Sequence, residues 1–243
     1  MDSGHQKLSA DGKRSWAVLL LAHGAPDRLE DVPEFLLNVR GGRKLPDPVV
    51  QEIIHRYSLI GGGSPLLGVT TLQAQGLGQC LGHPVYFGMR NWKPFIADTV
   101  RKMIEDGVER ILALCLAPQN SRTSIGLYKK HLFDALEKHA PQMGVDFIEN
   151  WHNHPLLIQA LLEKAVMARA QVEAEAREAV PIIFTAHSVP VKTIEDGDPY
   201  AEQVRETARL VAEAMGLIGY RLAFQSQGMT AEPWIGPTVE SQI

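Results

Sequence analysis

Twice in this chain an oily run ends in Ala-His, followed by a small residue, a variable one and a proline. Leu19–Pro26 reads LLLAHGAP and Ile182–Pro190 reads IIFTAHSVP. Short apolar runs without alternation fit strands covered on both faces, as in parallel sheets flanked by helices. A histidine placed directly after such a run stands at the strand's carboxyl end, the edge where open α/β sheets bind ligands. The recurrence predicts an internal duplication, with His23 and His187 at corresponding places.

The rest of the chain keeps this grammar. Apolar runs at 16–22, 84–89, 110–116, 144–149, 181–186 and 220–225 alternate with longer amphipathic stretches, the pattern of strand and crossover helix. The stretch from Pro94 carries Phe95, Ile96, Val100 and Ile104 at helical spacing, with Pro94 suited to a first turn and Gly107 to a C′ position. Asp198 caps a helix with Pro199 at its first position and Val204, Ala208, Val211 and Met215 as its stripe. The expected class is α/β, built as two lobes with parallel sheets. Residues 1–15 form a polar tail, 16–154 the first lobe, 155–178 one bridging helix and 179–243 a partial second lobe.

Composition narrows the function. A net charge of −4 offers no general attraction for nucleic acid, so an anionic ligand has to meet locally placed arginines. Two cysteines, Cys80 and Cys115, exclude a disulfide framework and any four-thiolate metal centre from the chain's own residues, and favour a reducing cytoplasm. No signal peptide is recognisable and the first oily run is too short to span a bilayer, which leaves peripheral membrane contact open.

Candidate chemistry gathers at few places. His187, at the rim of a buried strand, can ligate a transition metal or accept a proton near neutral pH; the alternative is a hydrogen-bonded rim residue. His23 is either its counterpart across a cleft or a loop residue satisfied by backbone. GLGQCLG (76–82) misses the GxGxxG spacing and lies within a predicted helix, and GGGSP (61–65) lacks the lysine of a P-loop. The latter is a flexible loop or a surface for close approach of a ligand. Around it Arg40, Arg43 and Arg56 can take carboxylates and Tyr57 can stack on a flat ring, against the ordinary reading of solvated arginines. His152 and His154 in NWHNHP lack further ligands at metal spacing and fit a cleft lining better than zinc.

The ordered series LLLAHGAP, NVRGGR, HRYSLIGGGSPL, YFGMRNWKPFIADTV, LAPQNS, IIFTAHSVP, GDPY and FQSQGMTAEPWIGP resembles the ferrochelatases from about Trp16 to Pro237. The resemblance implies two Rossmann-like lobes related by a pseudo-twofold, with a porphyrin in the cleft. Ferrous iron is then a substrate and no organic cofactor is needed. It also implies His187 as metal ligand and proton acceptor, and His23 on the metal's other side. Arg40, Arg56, Tyr57, Ser64, His152 and Trp234 become porphyrin contacts. Protoporphyrin IX and coproporphyrin III both remain open, as does the oligomeric state.

Two departures accompany the resemblance. Gln119 stands in LAPQNS where many ferrochelatases carry histidine, which removes a metal-relay role there. The family's second lobe also continues into further strands, one leading to a catalytic glutamate, and this sequence stops at Ile243. Reduced or absent insertion is expected of this polypeptide unless Glu240 or another group substitutes. Strand 220–225 is expected to lie beside an unfilled sheet position. Two other readings stand beside the ferrochelatase one: a chelatase for a more reduced tetrapyrrole such as sirohydrochlorin, taking cobalt or iron, and a non-catalytic porphyrin- or haem-binding module.

Overall fold

The computed structural model describes residues 15–174, 179–228 and 232–243. Most of the polar tail expected over 1–15 therefore lies outside the described residues. The chain divides into two compact units: residues up to Leu116 with Leu127–Ile148, and Ala117–Gly126 with Glu149–Ile243.

The first unit is organised around β1 (Trp16–Ala22), followed by α1 (Val32–Val39), α2 (Asp47–Leu59), α3 (Leu66–Leu81), β2 (Val85–Met89), α4 (Ile96–Glu105), β3 (Arg110–Cys115), α5 (Ile125–His139) and β4 (Gly144–Ile148). Its four-stranded sheet runs in the order β2-β1-β3-β4, and every pairing is parallel. Every residue of β1 after Trp16 is buried. Val18 and Leu20 pack with Ala74 of α3 and with Leu77, Phe87, Leu112 and Leu114. Leu19 and Leu21 alternate to the opposite face and are also fully buried, so both faces of the strand are covered. Each such leucine contributes about 1.5–3 kcal/mol of transfer free energy. This inner strand fixes where His23 emerges.

The second unit contains α6 (Pro155–Arg169), β5 (Ile183–His187), α7 (Val191–Glu195), α8 (Tyr200–Ala214) and β6 (Arg221–Gln225). β5 and β6 form a parallel pair in which His187 lies opposite Gln225. The core comes from α8, which buries Ala201, Val204, Ala208 and Val211, and from Ala223 and Phe224 of β6. No residue of β5 is fully buried.

Three expectations are corrected. The helix foreseen over 155–178 ends at Arg169, where Gln171 and Val172 donate back to Ala168 and Arg169 at 3.1 Å each. Residues 170–174 contain good helix formers, but propensity contributes only tenths of a kcal/mol per residue and does not by itself hold a helix. Positions 175–178 lie outside the described residues, and α6 belongs with the second unit, packed on α8. Second, α4 starts at Ile96 because the Pro94 carbonyl accepts from Met89 N–H (2.7 Å) and Phe95 bridges Met89 in extended form. Third, the outer side of β6 is partly covered. Phe224 N–H donates to the Pro237 carbonyl at 2.7 Å, and Thr238 bridges Phe224 in parallel. The thinly covered strand is β5.

Candidate active site

In the first unit the loop leaving β1 is forced into shape by close backbone approaches. Gly24 has φ +85°, and a Cβ there would stand 2.7 Å from the Trp92 backbone nitrogen. Gly63 backs onto the same loop, where a Cβ would meet the Asp27 carbonyl oxygen at 2.0 Å, and Ser64 N–H donates to the Pro26 carbonyl at 2.9 Å. The glycines of GGGSP thus include one required for chain-to-chain packing beside His23.

His23 is exposed, and its ring stands edge-on to Phe35 at 6.1 Å. Its Nδ1 lies 2.9 Å from the Gly24 carbonyl and its Nε2 3.1 Å from Asn91 Nδ2. Asn91 is 3% exposed, donates its backbone N–H to the His23 carbonyl (3.0 Å) and accepts Arg90 Nε–H at Oδ1 (3.2 Å). The Asn38 amide donates to the Asn91 carbonyl at 3.2 Å. Sequence reading missed Asn91; its signal was its place in GMRNWKP, just past the strand that pairs with β1.

The expected carboxylate and ring contacts lie along the helices that follow. Arg40 closes α1, exposed, with its carbonyl accepting from Arg43 Nε. Arg56, in the last turn of α2, pairs with Glu52 at 2.9 Å on an exposed face. Such pairs are worth about 0.2–1 kcal/mol, so this one is readily exchanged for another carboxylate. Tyr57 beside it is half-buried, which raises its phenol pKa. Ser64 Oγ accepts Leu66 N–H (3.2 Å) and so serves the start of α3.

In the second unit His187 is the last residue of β5. Its carbonyl accepts the Tyr200 hydroxyl at 3.0 Å, while its imidazole is exposed at the sheet edge. Among the described residues neither ring nitrogen is hydrogen-bonded. Partial burial lowers its pKa below the ordinary histidine value, which keeps the ring neutral at pH 7. The next residues are held firmly. Ser188 is fully buried, with its N–H on the Gln225 carbonyl (2.7 Å) and its Oγ–H on the Ile235 carbonyl (2.8 Å). Val191 N–H donates to the Pro233 carbonyl and Ile235 N–H to the Val189 carbonyl, each at 2.9 Å, and Trp234 bridges Pro190 in antiparallel fashion. Trp234 is thereby brought alongside the His187 loop.

His152 is buried and bonded at both ring nitrogens. It is 6% exposed, with Nδ1 at 3.1 Å from Asn150 Oδ1 and Nε2 at 2.8 Å from Glu206 Oε2. Hydrogen bonds from His152 and Asn153 hold the Glu206 carboxyl below its usual pKa. His154 accepts Leu156 N–H and caps α6. Gln119 donates to Thr207 Oγ1 at 3.1 Å, so its amide ties the 117–126 segment to α8. The buried Asp198 completes that tie by accepting from Ser121 Oγ–H, Arg122 N–H and Tyr200 N–H at 3.1, 2.7 and 3.0 Å. The expected cap at Asp198 is shifted by one: α8 starts at Tyr200 with Pro199 at its N-cap, and only the bond from Tyr200 N–H serves the helix start.

No carboxylate is bonded to His187 among the described residues, and Glu240 sits in the exposed terminal turn. Among the described residues no three His, Cys, Asp or Glu side chains converge on a metal position. A depression of about 400 Å³ in this unit is lined by Arg205, Tyr220, Leu222, Phe224, Gly236 and Pro237. It opens along β6, whereas His187 leaves the end of β5. No helix among the described residues is long and apolar enough to cross a membrane.

Comparison with known proteins agrees with the ordered motifs. The sequence model of the Ferrochelatase family matches residues 15–243. The ferrochelatase of Acidobacterium capsulatum is 46% identical over 242 residues, covering 93% of this chain and 73% of that protein. That of Deinococcus radiodurans is 39% identical, covering 93% and 74%. The coproporphyrin III ferrochelatase of a Geobacillus species is 36% identical, covering 94% and 76%. This chain therefore spans about three quarters of the length of these relatives, and it belongs to the ferrochelatase family.

Proposed function

We propose that this chain inserts ferrous iron into a porphyrin, with His187 as metal ligand and proton acceptor. The observation that carries the reading is the state of His187. Its imidazole is exposed at the carboxyl end of a parallel strand, kept neutral by partial burial, with no hydrogen bond on either nitrogen among the described residues. Insertion exchanges two pyrrole N–H protons for one Fe²⁺, so the macrocycle stays neutral overall and two protons must leave. A neutral imidazole has one ring lone pair: it first replaces a water on iron and, once the iron has passed to the macrocycle, accepts a pyrrole proton, releases it to solvent and accepts the second.

The remaining assignments follow chemistry. Arg40 and Arg56 are exposed guanidinium groups suited to propionates, and the half-buried Tyr57 ring beside Arg56 offers a stacking face. His23 is proposed on the iron's other side, with Ser64, His152 and Trp234 as further porphyrin neighbours. No organic cofactor enters this scheme, and the two cysteines, neither in a disulfide, suit a reducing cytoplasm. Relatives named for coproporphyrin III support a tetracarboxylate substrate. The lack of a carboxylate beside His187 among the described residues supports a second reading, in which the chain holds porphyrin with slow or no turnover.

Anaerobic incubation with Fe²⁺ and either coproporphyrin III or protoporphyrin IX tests both. Conversion of the free-base absorption spectrum to that of the metalloporphyrin supports insertion, and the faster porphyrin is the substrate. Quenching of tryptophan fluorescence without spectral conversion supports the binding module. The absence of both signals sinks both readings.

A further inference from the structure

We infer that Asn91 is a positioning residue that fixes the tautomer of His23 and holds its Nε2 behind an amide hydrogen bond. Arg90 directly precedes Asn91 in the chain. Its Nε carries only a hydrogen, so the Asn91 side-chain atom it meets at 3.2 Å is the oxygen. The other end of the amide, turned to His23 Nε2 at 3.1 Å, is then the NH₂ group. An amide nitrogen donates and does not accept, so Nε2 presents its lone pair. At the opposite side of the ring Nδ1 faces the Gly24 carbonyl at 2.9 Å, which only accepts, so Nδ1 carries the proton. Two separate partners require the same Nδ1–H form.

Asn91 is suited to this role because it cannot drift. Its N–H is bonded to the His23 carbonyl and its own carbonyl to the Asn38 amide, and the residue is nearly fully buried. A ring whose orientation and tautomer are set by a neighbour behaves like a histidine ligand oriented by its surroundings. The functional consequence, which rests on the ferrochelatase reading, is a gate: a cation takes His23 Nε2 only when the Asn91 amide yields it.

The test is ¹⁵N–¹H correlation spectroscopy of the histidine rings in the full chain, at a pH above the histidine range, with His23 assigned through His23→Gln. The expected result is protonated Nδ1 and lone-pair Nε2 in the unmodified chain. Asn91→Ala leaves the Gly24 carbonyl alone to hold Nδ1–H and so weakens the preference for that tautomer. Asn91→Asp, nearly the same shape but offering only acceptors, puts a proton on Nε2. A merely structural Asn91 moves none of these signals, and the Asp variant decides the matter if the Ala variant fails to fold. Titration with Zn²⁺ alone, read at His23, shows about 3- to 10-fold tighter uptake in Asn91→Ala, the equivalent of one hydrogen bond. An Nε2–H ring in the unmodified chain, one tautomer in all three proteins, or unchanged Zn²⁺ affinity overturns the inference. Failure to insert iron into porphyrin with the tautomer pattern intact sinks the proposed function and leaves Asn91's role standing.

Discussion

The two Ala-His strand ends look alike in sequence and differ in what surrounds them. β1 is an inner strand with both faces buried, and the histidine beyond it is engaged by Asn91 and Gly24. β5 has no fully buried residue, and its terminal histidine has neither ring nitrogen bonded among the described residues. A repeated motif therefore fixes where a side chain emerges, while the neighbours contributed by distant segments decide what that side chain is able to do. In this molecule the well-packed strand presents the restrained imidazole, and the thinly covered strand presents one whose ring nitrogens are unbonded among the described residues.

Three measurements press on this contrast. The largest effect belongs to packing: Leu19→Ala lowers unfolding free energy by about 2–5 kcal/mol, since the site is closed on both sides. Ile183→Ala, on the half-covered β5, costs clearly less in the same denaturant titration, and equal losses break the comparison. Next, Tyr200→Phe removes the hydroxyl bond to the His187 carbonyl and destabilises by about 0.5–1.5 kcal/mol. It also loosens the His187 ring, seen as broader ring signals in NMR, with His23 unaffected. The smallest effect is electrostatic. The folded His187 pKa lies below the unfolded value of about 6.5, so between those two values the unfolded chain binds more protons. Stability rises with pH across that window, and the penalty is complete below the folded pKa. His187→Gln flattens that slope slightly, and an NMR midpoint for His187 above about 6.5 contradicts the assignment.

Much of this was legible in the chain itself. The six strands among the described residues lie within one or two residues of where apolar runs place them, because buried parallel strands leave short, sharply bounded signals. His23 and His187 were found as strand-end histidines for the same reason. What escaped depends on contacts distant in sequence. Asn91 is 68 residues from His23, Glu206 is 54 from His152 and Asp198 is 77 from Ser121. No local period encodes such pairs. The early end of α6 escaped because helix formers continue past Arg169 without glycine or proline to mark a stop.

The account turns on His187 as the group that takes up iron and pyrrole protons. Single-turnover insertion of Fe²⁺ into bound porphyrin, compared between the unmodified chain and His187→Ala with porphyrin binding followed by tryptophan fluorescence, tests it most directly. The account predicts binding retained and insertion slowed by about 10²-fold or more, the usual worth of a positioned acid–base group. Insertion by His187→Ala at the unmodified rate contradicts it.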